Sequence, residues 1–354
     1  MLTLIEHEDY YKHKMSQIKE NPRRLRIIMK ALTTSGILDD PSVKLVSPES
    51  ATDKDVRVLH TDQLVDLVKH GSMVGETAIT GDTITNEYTF QAALRAVGGA
   101  FLAAETAISK NDSVAYLLAR PPGHHATKTK AMGFCFFNNI ALAANNLIAQ
   151  NKAKRIAIID FDNHYGNGSA DLFYGRNDIL TISMHADPNY SFPFQGRVSE
   201  IGERSGTGYN ICIPLPMQTG DKEYLSTFDE IIPSIVSDYK PDIIFVAAGY
   251  DGLKDDPYGY LGLSVYGFQL ITERINALAK ELCNGKMVMT LEGGYKFDEL
   301  AEAFMASISP FLPNYVKSDK KDDSKLSTGG NKGMLKNTMD ELKKTLKPYW
   351  KIGK

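Results

Sequence analysis

Through its middle the chain alternates short, nearly continuous apolar runs with longer stretches in which apolar residues recur every three or four positions. The first pattern suits strands covered on both faces and the second suits amphipathic crossover helices, so their alternation predicts a parallel sheet. Strands are predicted at "SVAYLL" (113–118), "RIAIID" (155–160), "ILTISM" (179–184), "IIFVAA" (243–248) and "KMVMTL" (286–291). Helices are predicted at 22–34, where Pro22 suits a first turn, and at 88–109, 138–151, 223–237, 264–282 and 300–308. Three long segments without a clear period remain, 119–137, 185–208 and 249–262. Loops of that length in a compact domain are usually functional.

Toward the end, the polar, glycine-bearing segment 318–333 reads as a linker or surface crossing, and "NTMDELKKTLKPYWKI" as a short amphipathic helix anchored by the sole tryptophan, Trp350. This divides the chain into a catalytic domain, 1–315, and a tail, 316–354, whose helix packs on or near it. No internal repeat is present.

Composition narrows the class. A chain of 354 residues that is 43% hydrophobic and 23% charged can bury a substantial core. Lys and Arg number 40 against 43 Asp and Glu, with no basic block, which argues against direct binding to nucleic acid. Three scattered cysteines, Cys135, Cys212 and Cys283, form no CxxC pair, so neither a disulfide framework nor a thiolate zinc site is expected. The N-terminal "MLTLIEHEDYYKHKM" lacks an apolar signal core, and no run of about 18 apolar residues occurs. A soluble chain kept in a reducing cytoplasm, with no membrane partner, is the expectation; a homo-oligomer is compatible with it.

Ligands of open parallel sheets bind beyond the carboxyl ends of the strands. Here the run at 113–118 leads into Pro121, Pro122, Gly123, His124 and His125, and that at 155–160 into "DFDNHYGNG", with Asp160, Asp162, His164 and Asn167. The run at 243–248 leads into Gly249 and Asp251, and that at 286–291 into Glu292 and Tyr295. Four strand ends thus deliver His, Asp and Tyr to one side of the sheet. Asp162 and His164, two apart at an extended strand end, project together and with Asp251 form a two-carboxylate, one-imidazole set. Zinc accepts such donors and keeps an open position when catalytic; iron(II) satisfies the same donors. Taken singly, each acid could equally cap or close a turn. Of the adjacent imidazoles, one can accept a proton while its neighbour orients it or donates one, with Asp160 and Asn167 as their partners. Tyr295, after two glycines, can stabilise a developing oxyanion, or else simply close the core.

Other signatures fail. "HEDYY" lacks the second histidine of the H-E-x-x-H motif, there is no Walker A loop or G-x-S-x-G elbow, and "GTGYNIC" lacks the third glycine of a dinucleotide fingerprint. Cys135, between two phenylalanines, reads as a small buried hydrophobe rather than a nucleophile.

Taken together, "RPPGHHA", "GFCFFNN", "IDFDNHYGNG", "SMHADP", "AGYDG…DDP" and "EGGY" resemble the zinc-dependent histone deacetylase family, and within it the acetylpolyamine amidohydrolase and prokaryotic deacetylase-like branch. The resemblance runs in order from "KENPRRL" near Lys19 to about Leu312. It implies the arginase/deacetylase fold, a three-layer α/β/α domain around a mainly parallel, roughly eight-stranded sheet. It implies Asp162, His164 and Asp251 as metal ligands, and His124 and His125 as the catalytic pair, backed by Asp160 and Asn167. Tyr295 becomes the oxyanion stabiliser, and Phe134 and Phe192 the walls of the channel. Gly123 and Gly249 allow close approach. More loosely, Asp82 is a rim carboxylate, Arg24 lines an internal acetate path, and Asp160, Ser183 and nearby carbonyls form a structural potassium site.

The sequence departs from the family at "DNHYG", where Asn163 stands for an apolar residue and Tyr165 for a second histidine. Asn167, where some branches carry Asp, leaves His125 without a charged partner and so less basic than His124.

The reading that results is a metal-dependent amidohydrolase acting on an acetylpolyamine or an acyl-lysine. A ureohydrolase-like enzyme on the same fold and an inactive acyl-group binding protein are the alternatives; one metal per chain, two metals, and binding without turnover separate the three. An acidic rim at Asp82 or Glu292 would favour cationic amine products.

Overall fold

The five apolar runs become strands, and three more join them in the same sheet. The computed structural model describes residues 1–15, 18–312 and 325–352. Its strands are β1 (Leu2–Ile5), β2 (Val43–Val46), β3 (Thr77–Thr80), β4 (Thr83–Thr85), β5 (Val114–Leu117), β6 (Ile156–Asp160), β7 (Ile179–Ala186), β8 (Asn210–Leu215), β9 (Ile243–Ala248) and β10 (Met287–Leu291). Eight form one sheet in the order β2-β1-β5-β10-β9-β6-β7-β8, every neighbouring pair parallel; β3 and β4 form a separate hairpin.

The helices are α1 (Arg23–Thr34), α2 (Asp53–Val56), α3 (Asp62–Val74), α4 (Thr89–Ile108), α5 (Asn139–Ala149), α6 (Asn167–Phe173), α7 (Asp221–Tyr239), α8 (Val265–Cys283), α9 (Phe297–Ile308) and α10 (Lys332–Leu346). α1, α9, α8 and α7 pack side by side over one face of the sheet, and α4 and α5 cover the other. The result is a three-layer α/β/α arrangement. Covering on both sides is why β5, β6, β9 and β10 are buried along their whole length and, apart from Asp160 and Thr290, built of apolar side chains.

The strands that the apolar pattern overlooks lie toward the margins. β2, "VKLV", is an edge strand with its lysine exposed, and β8, "NICIPL", is the opposite edge and contains Pro214, which an edge strand tolerates. The chain lays down β5, crosses to β6, β7 and β8, and only then returns to fill the gap with β9 and β10. The four strand ends that carry the chemistry-bearing residues are therefore adjacent, as β5-β10-β9-β6, and open on one crevice.

Of the predicted linker, residues 318–324 lie outside the described residues. Beyond them, Ser327 N and Ser264 Oγ both donate to the buried carboxylate of Asp221, at 2.8 and 2.6 Å. Met339, Leu342, Leu346 and Trp350 join the main core, and Trp350 Nε1 donates to the Gly208 carbonyl at 2.7 Å. No helix of the described residues is long and apolar enough to cross a membrane.

Candidate active site

Beyond β5 the chain is held from two directions. The Arg120 guanidinium, wholly buried, grips Glu20 through two bonds of 2.5 Å and donates to the carbonyls of Tyr10 and His13 at 2.9 Å. Three residues on, the amides of Gly123 and His124 both donate to Glu292 Oε2, at 2.7 and 3.1 Å. The two imidazoles that follow are thus fixed through their backbone.

His124 Nδ1 lies 3.0 Å from Asp160 Oδ2, and its Nε2 lies 3.9 Å from Asp162 Oδ2. Burial works against its charged form, but the charges of Asp162 and Asp160 prevail and raise its pKa to about 10. His125 Nδ1 lies 2.8 Å from Asn167 Oδ1. Burial pushes His125 well below the ordinary imidazole value, and the positive charges of His124 and His164 push the same way. The surroundings thus push the two rings in opposite directions, His124 toward its charged form and His125 toward its neutral one.

Asp162 and Asp251 are fully buried, and His164 Nδ1 lies 3.2 Å from the first and 3.0 Å from the second. The ligand atoms of Asp162, His164 and Asp251 all lie within 4.8 Å of one another. Among the described residues this is the one group of three such side chains close enough to share an ion. Two buried carboxylates facing one imidazole leave excess negative charge, and the mixed oxygen and nitrogen donors suit a divalent transition metal. The residues present therefore fit such an ion. Backbone amides aim the carboxylates: Gly293 N and His164 N donate to Asp162 at 2.8 Å, and Asn163 N donates to Asp251 at 2.9 Å. Gly249 and Gly293 must be glycine, because a Cβ on either would collide with these carboxylate oxygens.

A cavity of about 440 Å³ opens on this cluster. Its wall includes His124, His125, Asp162, His164, Asp251 and Tyr295, with Phe134 and Phe192 above and Asp82 nearer the β3–β4 turn. Phe192 stands edge-on to His125, with ring centroids 5.1 Å apart. Tyr295 packs against Phe134 at 5.9 Å and Tyr258 at 4.9 Å, and its hydroxyl has no hydrogen-bond partner among the described residues. Asp160, Asn167, Gly123 and Gly249 stand behind the wall. Asp82 Oδ1 accepts from Thr83 Oγ1 at 2.8 Å and Gly133 N at 3.2 Å, so it also secures the turn that presents Phe134.

The histone deacetylase domain is matched over residues 18–310. The chain belongs to the histone deacetylase family. It is 34% identical to a probable deacetylase of Archaeoglobus fulgidus, over 99% of each chain. It is 35% identical to histone deacetylase 15 of Arabidopsis thaliana across 83% of its own length, and spans about half (52%) of that longer relative. The crystal structure of the HDA15 HD domain superposes with a TM-score of 0.86 at 30% identity, covering 98% of this chain and 96% of that one.

One expectation for this deacetylase-family chain needs correction. Glu292 is not at the rim: it is fully buried and spends its carboxylate on Gly123 N, His124 N and Thr290 Oγ1. Arg24, implied on an internal acetate path, lies behind Tyr295, 4.8 Å from the ring centroid, bonded to Glu20 and to the carbonyls of Gly294 and Glu292. Most of the polar groups at the "DNHYG" departure find local partners. Tyr165 accepts from Asn210 Nδ2 at 3.0 Å and stacks 4.8 Å from His185, while Asn163 Oδ1 accepts from the amides of Tyr260 and Leu261. Its Nδ2 is buried without a partner among the described residues. Of the implied potassium site, Asp160 and Ser183 are register partners on β6 and β7, and Ser183 Oγ lies 2.9 Å from His185 Nδ1.

Missed by the sequence reading are Tyr258 and Tyr260, two further aromatic walls, and Asp256, whose carboxylate accepts from the amides of Tyr258, Tyr295 and Lys296. The "DDPYGY" stretch that holds all three carried a signal in its clustered acids and aromatics.

Proposed function

We propose that the chain hydrolyses the amide bond of an acylated primary amine, releasing a carboxylate and an amine. The supporting observation is that two adjacent imidazoles with unlike Nδ1 partners, a cluster that fits a metal and a phenol with no hydrogen-bond partner among the described residues all line one aromatic-walled cavity. Asp162, His164 and Asp251 would hold a divalent metal, zinc or iron(II), which supplies Lewis acidity toward the amide carbonyl and lowers the pKa of water there.

The protein's own groups account for the proton movements. Asn167 Oδ1 accepts from Nδ1–H of His125, which leaves the Nε2 lone pair of His125 to take a proton from the attacking water. Tyr295 donates a hydrogen bond to the carbonyl oxygen as negative charge develops on it. His124, whose pKa the charges of Asp162 and Asp160 raise, gives a proton to the departing nitrogen. Ionisation of the acid product restores His124, and the amine carries away the proton from His125 as an ammonium ion. Phe134, Phe192 and Tyr258 line the path for an unbranched alkyl chain and exclude water from it.

The test is a turnover panel on the metal-loaded protein, covering acetylspermidine, acetylputrescine, acetyl-lysine peptides and longer acyl-lysines, with metal counted per chain. The expected result is chelator-sensitive amide hydrolysis with one metal. Two metals with release of urea from a guanidino substrate would move the chain to the ureohydrolases, and tight ligand binding without turnover would make it an acyl-group binding protein.

A further inference from the structure

One buried carboxylate joins the cavity rim to the Tyr295 turn. Asp256 is only 5% exposed and is not part of the cavity wall. Its Oδ1 accepts from Tyr258 N at 2.9 Å, on the rim, while its Oδ2 accepts from Tyr295 N at 2.6 Å and Lys296 N at 2.8 Å. Lys296 occupies the N-cap position of α9, so the bond to its amide also ties Asp256 to the start of that helix.

The turn needs such a hold. Tyr295 follows Gly293 and Gly294, and Gly294 has φ +121°, a conformation that side chains disfavour, so no side chain of the two preceding residues helps to fix the turn. Arg24 and Tyr250 N fix the carbonyls of Gly294 and Gly293, but the amides at Tyr295 and Lys296 are tied to Asp256. A phenol that must meet a carbonyl oxygen at hydrogen-bond distance tolerates little displacement of its backbone.

We propose that Asp256 is a positioning residue for amide hydrolysis, latching the Tyr295 turn to the Tyr258 rim so that the phenol stays aimed at the substrate carbonyl. This rests on the reading of Tyr295 as the carbonyl's hydrogen-bond donor. Asp256 touches neither substrate nor metal; it acts through Tyr295.

A double-mutant cycle on the metal-loaded full chain tests it. Asp256→Asn keeps the side chain's size but replaces one acceptor oxygen with a donor, so it cannot receive all three amides. The expected result is a kcat for an N-acetyl amide roughly 10- to 100-fold lower, with KM and metal content within about threefold of the parent, and a smaller loss on the trifluoroacetyl amide. In the Tyr295→Phe background the same change should cost less than about threefold, because the group being positioned is already gone. Losses that multiply in the double variant, or an unchanged kcat in Asp256→Asn, would overturn the positioning role. A Tyr295→Phe variant as fast as the parent would instead overturn the reading of Tyr295. If circular dichroism shows that Asp256→Asn does not fold, Asp256→Glu, which retains the charge on a longer arm, goes through the same cycle and is judged by the same outcomes.

Discussion

His124 and His125 stand with ring centroids 3.9 Å apart, yet each binds a different kind of partner through Nδ1, a carboxylate for His124 and an amide oxygen for His125. That difference adds to the charges of Asp162 on His124 and to burial beside His124 and His164 on His125, and the pKa values of the two rings are driven apart. Replacing Asn167 by Asp should raise the pKa of His125. A base works only when deprotonated, so the rising acid limb of the kcat/KM profile should move to higher pH, with more activity lost at pH about 6 than about 8. An unmoved limb, with chemistry rate-limiting, would rule out His125 as the base.

The three-ligand cluster makes a prediction about stability as well as activity. Asp162 and Asp251 are buried together, so an ion between them should stabilise the fold, and chelation should lower the melting temperature. His164→Ala and Asp251→Ala should each abolish both the metal content and the chelator-dependent shift. Full occupancy in Asp251→Ala would remove Asp251 from the ligand set.

How much of this site was legible in the sequence depended on where each residue sits. Residues at the ends of buried strands could be found because a continuous apolar run marks its own carboxyl end, which located His124, Asp162, Asp251 and Tyr295 together. Edge strands were harder: β8 carries a proline that an interior strand could not accommodate, and β2 is only four residues with an exposed lysine. Glu292 was placed at the rim and Asp256 was missed for another reason. Their partners are backbone amides from distant segments, and amides leave no mark in a sequence.

Acid should weaken the fold through histidines that are buried neutral. His60 sits between the Thr127 carbonyl at 2.9 Å and the Asn138 amide at 3.0 Å, and burial lowers its pKa from 6.5 to about 4. Burial likewise lowers His185 to about 4. Between those values the unfolded chain binds protons that the folded chain refuses, so stability is fully present above pH 6.5 and declines as pH falls toward 4. The loss is about 3 kcal/mol for each group, on the order of 1.4 kcal/mol per pH unit. Urea unfolding across this range checks it; His60→Gln should flatten the slope, and an unaltered slope would show that His60 is not its source.

We propose that the C-terminal segment folds as part of the domain. Trp350 packs edge-on against Tyr209 and Tyr239, with ring centroids 5.3 and 6.2 Å away, in addition to its bond to Gly208. Trp350→Ala should destabilise the protein by about 3 kcal/mol. Chemical denaturation should show one cooperative transition moved to lower denaturant; a separate early transition that leaves the main one unmoved would mean that the tail docks independently.

The most direct measurement of the central claim is kcat for an unactivated N-acetyl amide in Tyr295→Phe, with metal content and ligand affinity determined on the same preparation. Loss of one hydrogen-bond donor to a developing oxyanion costs on the order of 10²–10³ in turnover. The account predicts a fall of that size with metal content and binding nearly intact, and a smaller fall for a trifluoroacetyl amide, whose carbonyl needs less help. Hydrolysis of the acetyl amide at the parental rate would contradict it, and would leave Tyr295 as no more than an aromatic wall of the cavity.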